Sequence, residues 1–119
     1  MRNIVVLVFI LFFGYSKSYS QSISCQELFE TVVNNYYDKQ SVNCYGSTML
    51  VKVEYYTLRN NGFVVAYIKS NDYDFRGKPY IFCGVSSMTW IYFKSEAMVE
   101  GSWGKSFNKY IMDHTCNCY

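Results

Sequence analysis

The chain has 119 residues, of which 50% are apolar and 20% aromatic. This length suits a single domain, and this apolar content excludes an intrinsically disordered chain. The formal net charge is +2, but Arg2 and Lys17 lie in a segment that we expect to be removed, and subtracting them from the 11 basic residues leaves nine against nine acidic ones. Because nucleic-acid binding draws its affinity from a basic patch, this balance disfavours nucleic acid as a partner.

Residues 1–20 have the features of a secretory signal peptide. Arg2 supplies a positive charge, an unbroken apolar run follows from Ile4 to Phe13, and small residues precede Gln21. We therefore predict cleavage after Ser20 and a secreted or periplasmic mature protein. The apolar run of about ten residues is shorter than the roughly 20 needed to cross a bilayer, so we predict no stable membrane span after cleavage.

A helix is predicted to open the mature chain, within a unit of residues 21–46 that ends in a polar link. Ser24 and Glu27 have the spacing of a capping box, in which the serine oxygen accepts the Glu27 amide and the carboxylate reaches back to the serine amide. Apolar residues then recur at helical spacing, which predicts about four turns ending near Asp38. These apolar residues are Leu28, Phe29, Val32, Val33, Tyr36 and Tyr37.

Three strands are predicted in the middle of the chain. Residues 49–56 alternate between the two sides of a strand, and a second β-branched and aromatic run occupies residues 63–69. Asn60, Asn61 and Gly62 between them are typical of a turn, so these runs predict a hairpin. Residues 79–85 predict a third strand, which begins with the proline because proline is tolerated at a first or edge position.

Two helices are predicted to close the chain. Ser86 or Ser87 is expected to cap the first helix, and Ser102 the second, in which Trp103 and Phe107 share one face. We therefore predict an α+β fold with a three-stranded antiparallel sheet packed by an N-terminal helix and a C-terminal helix pair.

The last helix and the third strand carry a family resemblance. The stretch from Ser102 to Ile111 reads Ser-x-Gly-Lys-x-Phe-Asn-x-x-Ile, and residues 80–82 read Tyr-Ile-Phe where the pattern has Tyr-x-Tyr. With Ser47 and Tyr55 in the first strand, these motifs resemble the KTSC domain, a small module named from the C-terminus of some lysyl-tRNA synthetases. We assign residues 47–119 to a KTSC-like domain with a cysteine-containing tail. The whole chain is similar to small secreted proteins of Bacteroidetes that bear this domain.

The resemblance implies a compact α+β module of unsettled activity, for which RNA binding has been suggested. It implies six candidate binding positions, which are Tyr80, Phe82, Ser102, Lys105, Phe107 and Asn108. The balanced charge, the predicted export and the replacement of the motif's second tyrosine by Phe82 disfavour RNA as the ligand. Helix surfaces are usually polar, so a solvated face or a turn hydrogen bond is the alternative role of Lys105 and Asn108.

Five cysteines in an exported chain predict disulfides and one leftover thiol. The disulfide candidates are Cys25, Cys44, Cys116 and Cys118. The two tail cysteines are too close to pair with each other, so Cys25 is the natural partner for the tail, and this closure would stabilise the fold by roughly 4 to 5 kcal/mol. Cys83 lies within a predicted strand among apolar residues, so we predict that it is the buried free thiol.

No arrangement of residues in the sequence predicts catalysis or a cofactor. One alternative is a thiol- or metal-dependent activity of His114 with Cys116 and Cys118, but these cysteines are spaced more closely than in zinc sites, and only Cys25 or Cys44 could supply the fourth ligand. RNA binding, implied by the resemblance, is the other alternative. We therefore predict a secreted, non-catalytic binding or interaction module without a cofactor, whose partner is a protein or a cell-envelope component.

Overall fold

The computed structural model describes residues 23–118. The signal peptide predicted for residues 1–20, with its cleavage site after Ser20, lies outside the described residues. The elements in chain order are α1 (Cys25–Asn35), β1 (Asp38–Asn43), β2 (Leu50–Leu58), β3 (Asn61–Ile68), β4 (Lys78–Cys83), α2 (Ser87–Glu100) and α3 (Trp103–Tyr110).

The fold is α+β as predicted, but the described sheet has four strands, in the order β1-β2-β3-β4, instead of three. The prediction missed β1, which lies in the stretch expected to be a polar link. Its sequence is DKQSVN, and only Val42 is partly buried, because an edge strand with little cover shows no alternating pattern. β1 pairs antiparallel with β2 from Asp38 opposite Thr57 to Asn43 opposite Lys52.

Helix α1 begins as predicted and ends earlier. The Ser24 Oγ accepts the Glu27 amide at 3.1 Å, while the Glu27 carboxylate bonds to the Ser24 hydroxyl at 3.2 Å and not to the predicted serine amide. The helix stops at Asn35 instead of near Asp38. The reason is that the Tyr37 amide donates to the Thr57 carbonyl at 2.8 Å, which draws the chain into the sheet.

The hairpin between β2 and β3 turns through Arg59 and Asn60, one residue earlier than predicted. Both have positive φ angles, 51° and 66°, as in the two-residue turns that match strand twist. Gly62 already lies in β3, where a Cβ atom would collide with the Val85 carbonyl and the Tyr55 hydroxyl. Its role is therefore close packing, since Tyr55 donates to the same carbonyl at 2.9 Å.

The sheet is covered by helices on both faces, so the domain has three layers. One face packs on α2 and α3 around Trp90, Phe93 and Phe107, which are at most 1% exposed. The other face packs on α1 and the C-terminal tail around Val32 and Ile81. Burial of large apolar side chains on both faces supplies the main favourable term for folding.

The cysteine pairing is partly as predicted. Cys25 bonds to Cys118 in the tail, which confirms the expected partner of Cys25. The prediction that Cys83 is the free thiol is wrong, because Cys83 bonds to Cys116. The prediction that Cys44 is in a disulfide is also wrong, since Cys44 is free and buried.

The physical reason for this pairing is the path of the tail. The Cys83 amide donates to the His114 carbonyl at 2.8 Å, and Thr115 forms a bridge with Phe82, so the tail lies beside β4 with Cys116 next to Cys83. Cys44 packs with the α2 and α3 side of the sheet, whereas Cys116 packs with the α1 side. The two disulfides indicate an oxidising, extracytoplasmic setting.

Candidate functional site

The six candidate positions implied by the resemblance do not meet at one surface. Phe82 and Phe107 are in the core, where their rings form an edge contact at 5.3 Å, and Tyr80 packs half-buried beside them. Lys105 and Asn108 are exposed. These five positions therefore divide between core and solvent.

The sixth position, Ser102, caps α3 and lines a cleft. Its side chain accepts the Lys105 amide at 3.2 Å. The cleft, of about 200 Å³, lies between the β1–β2 loop and the α2–α3 turn, and Ser47 lies on its other wall. The Ser47 Oγ accepts the amides of Met49 and Leu50 at 3.2 and 2.9 Å. Both hydroxyls therefore accept hydrogen bonds from backbone amides and hold the local backbone in place.

A buried carboxylate lies on the α1 side of the sheet. Glu54 is 4% exposed, the Tyr56 hydroxyl donates to it at 2.9 Å, and the ammonium groups of Lys39 and Lys52 lie 3.3 and 3.7 Å from it. Burial, followed by the nearby Glu54 charge, raises the pKa of Tyr67 to about 12. The charge is fully compensated by protein groups, as a buried charge requires, so we interpret this cluster as a structural anchor.

The free thiol of Cys44 is buried, which makes it unreactive. Burial raises the pKa of Cys44 to about 12, so almost none of it is thiolate near neutral pH. In the tail, Cys116 and Cys118 are both in disulfides and offer no thiolate to a metal or to His114. Within residues 23–118, no group of three or more His, Cys, Asp or Glu side chains is placed to hold a metal ion.

The most distinctive surface is the outer face of α2, which the sequence reasoning missed. The helix buries Trp90, Phe93 and Ala97 against the sheet. At 100° per residue, the opposite side carries residues 88, 92, 95 and 99, with 91 and 98 beside them. Five of these are large and apolar, with exposures of 46% to 85%: Met88, Ile91, Tyr92, Met98 and Val99.

We call this set, together with Ser95, the outer face of α2. Met88 and Ser95 fall at a heptad's first position, Ile91 and Met98 at its fourth, and Tyr92 and Val99 at its fifth. Such spacing is that of a helix packed against another helix. The sequence signal that could have found it is that the apolar residues of α2 are not confined to one stripe, which is typical of helices covered on more than one side.

A groove runs beside this face towards α3. It measures about 300 Å³ and is lined by Tyr92, Ser95, Val99 and Tyr110 with the acids Glu96 and Glu100. The Tyr92 and Tyr110 rings are 6.1 Å apart. Lys109 donates to Glu96 at 2.8 Å, which ties α3 to α2. The groove therefore combines apolar and aromatic side chains with two carboxylates, of which Glu96 is paired with Lys109.

The basic side chains of the described residues do not form a free cationic patch. Lys39 and Lys52 face Glu54, and Lys109 faces Glu96. Lys69 donates to the Ser47 carbonyl at 2.8 Å, and Lys94 donates to the Gln40 side chain at 3.1 Å. Over half of the nine basic residues outside the N-terminal segment thus already have partners.

No family model, curated protein sequence or solved structure matches the chain. The assignment to a KTSC-like domain therefore stays a prediction. Of the three helices in residues 23–118, none combines the length and apolar character needed to cross a membrane.

Proposed function

We propose that this protein is a non-catalytic interaction module that works outside the cytoplasm and binds a protein partner through the outer face of α2. The observation that carries the proposal is the row of exposed apolar side chains from Met88 to Val99. Contiguous apolar surface on a small domain is typical of protein interaction sites. The hydroxyls, the carboxylate and the thiol described above are all engaged or buried, which favours binding over catalysis.

The partner that fits this surface is an amphipathic helix. Eleven steps from Met88 to Val99 span about 16 Å along the axis, which is three turns of a facing helix. The heptad spacing favours apolar anchors at every third and fourth position of the partner. The Glu100 side chain, which lines the groove, makes no hydrogen bond or ion pair within residues 23–118, so a basic side chain beside the partner's apolar stripe would complement its charge.

The proposal also includes the route of export and the domain type. We propose that the N-terminal 20 residues are removed after Ser20, which leaves a secreted or periplasmic chain. This step is supported by the charge, apolar run and small residues of the segment. The KTSC-like assignment of residues 47–119 is supported by the motif order in the sequence.

The test is site-specific photo-crosslinking in cells that export the protein. A photoreactive residue replaces Val99 in one strain and Tyr73 in another. Both positions are 85% exposed, but Tyr73 lies in the loop between β3 and β4, so it is a matched control. We expect a discrete protein adduct at position 99 that Tyr92→Ala abolishes, and none at position 73.

Two results would contradict the proposal. One is the absence of a protein adduct at position 99, or equal adducts at both positions. The other is binding of an unstructured RNA at low salt with an affinity that falls steeply as salt rises, because this dependence is the signature of phosphate contacts. That second result would favour the RNA alternative.

A further inference from the structure

The two edges of the described sheet differ in how they are closed. At β4, Pro79 has no amide hydrogen to offer, and the Cys83 amide donates to the tail at His114. At β1, no second strand among residues 23–118 pairs with the outer side of the strand. An open edge presents unpaired amides and carbonyls that can accept another strand.

The register identifies which groups of β1 are open. The Cys44 amide donates to the Val51 carbonyl at 3.0 Å, and hydrogen-bonded pairs alternate along an antiparallel ladder. Asp38, Gln40 and Val42 therefore bond to β2. The amides and carbonyls of Lys39, Ser41 and Asn43 point away from the sheet, and these six groups have no hydrogen-bond partner within residues 23–118.

Edge strands are usually protected by charged side chains that would be buried on pairing. Here that protection is weak. The Lys39 ammonium is held on the α1 side of the sheet, 3.3 Å from the Glu54 carboxylate and 5.5 Å from the centre of the Tyr56 ring. The Lys39 charge is compensated there, so it does not oppose pairing of another strand with β1.

From this edge we infer that two copies of the chain pair through β1, antiparallel and about a two-fold axis at Ser41, to form one continuous eight-stranded sheet. In this register Ser41 faces Ser41 of the second copy, and Lys39 faces Asn43. All six open groups of each copy find partners, which gives six interchain hydrogen bonds. A two-fold interface is isologous, so a self-complementary strand is its natural element.

Other registers of the β1–β1 pair would be less stable, because they bring like charges together or leave backbone groups unpaired. A two-fold axis at Lys39 would place two ammonium groups opposite each other, which destabilises a pair. An axis at Asn43, or between open residues, would leave some of the six open groups of each strand unpaired. The axis at Ser41 also brings Tyr37 level with Tyr45 of the second copy, and both side chains are among the most exposed aromatics, at 88% and 85%. The equal numbers of acids and bases outside the N-terminal segment add no net repulsion between copies.

The test uses the exported chain with its disulfides intact, and it begins with sedimentation velocity over a concentration series. We expect a monomer–dimer equilibrium with a dissociation constant of about 10 to 100 µM, as befits a small interface. Amide hydrogen exchange on the same samples locates the contact. Protection should rise with concentration at Lys39, Ser41 and Asn43, whereas Gln40 and Val42, which already bond to β2, should change little.

Variants separate this interface from the proposed partner surface. Ser41→Pro removes the amide at the axis without removing a bond to β2, and should weaken dimerisation by more than about tenfold. Asn43→Pro serves as a second variant with the same logic, and Ser41→Thr as the conservative control that keeps the dimer. Ser95→Lys, on the outer face of α2, should also keep the dimer while removing the adduct at position 99.

Three outcomes would overturn the inference. A chain that stays monomeric up to about 1 mM has no such pairing. A dimer without added protection at Lys39, Ser41 and Asn43 uses another surface. A dimer that Ser95→Lys removes and Ser41→Pro leaves intact forms through α2.

Discussion

The disulfide between Cys25 and Cys118 gives the most quantitative prediction. Replacing both cysteines by alanine removes a link between residues 93 apart in sequence. The Cys83–Cys116 disulfide stays intact, so the shortest covalent path from Cys25 to Cys118 runs through it. The loop that the Cys25–Cys118 bond closes therefore contains about 60 residues. The chain-entropy relation then gives a loss of about 4 kcal/mol in the free energy of unfolding at 25 °C.

That loss is large beside the total stability of a small domain, which is about 5 to 15 kcal/mol. The measurement is urea unfolding of the double variant and the wild type under oxidising conditions, followed by tryptophan fluorescence. The variant's midpoint should fall. Its m value should rise, because an unfolded chain without the link exposes more surface.

Reduction supplies the control. With both disulfides reduced, the wild type and the double variant should have nearly the same stability, since the link is then absent from both. A loss below about 1 kcal/mol under oxidising conditions would refute the reasoning. It would mean that the unfolded chain is already compact enough for the link to constrain little.

Three further predictions concern single residues. Cys44, whose pKa is raised to about 12 by burial, should resist a thiol reagent at pH 8 in the native state and react after unfolding; fast native labelling, read by mass spectrometry, would contradict its burial. Gly62→Ala should destabilise the fold by about 2 kcal/mol or more, because the added Cβ displaces the Tyr55–Val85 hydrogen bond; an unchanged melting temperature would count against the close approach. Phe107→Ala should cost about 3 to 5 kcal/mol by chemical denaturation, since the ring is fully buried, and a loss under about 1 kcal/mol would show that it packs loosely.

The elements that follow a strong local pattern were predictable. The caps at Ser24, Ser86 and Ser102 are all found, because each depends only on residues within one turn. The hairpin was also predicted, with its turn displaced by one residue. Arg59 takes a positive φ angle that its residue type does not favour, so pattern alone placed the turn at the asparagines and glycine.

The features that depend on contacts between residues distant in sequence were not predictable. β1 is a strand because β2 offers it a partner, and its own residues are too polar to indicate one. The pairing of Cys83 follows from the tail folding back along β4, which no local spacing encodes. The candidate site was missed for a related reason: apolar residues recur along α2 in the sequence, and only the position of the sheet shows which side of the helix is covered.

The disulfides and the exposed apolar face are physically connected. Small domains often lack enough buried surface to be stable alone, and covalent links supply the difference. With α1, β4 and the tail tied by two disulfides, and with Trp90 and Phe93 already buried beneath α2, the fold does not need the outer face of that helix for its own stability. If the outer face of α2 binds the proposed partner, Tyr92→Ala should leave the urea midpoint nearly unchanged while it abolishes the adduct at position 99. A large loss of stability in that variant would instead mean that the outer face of α2 supports the fold.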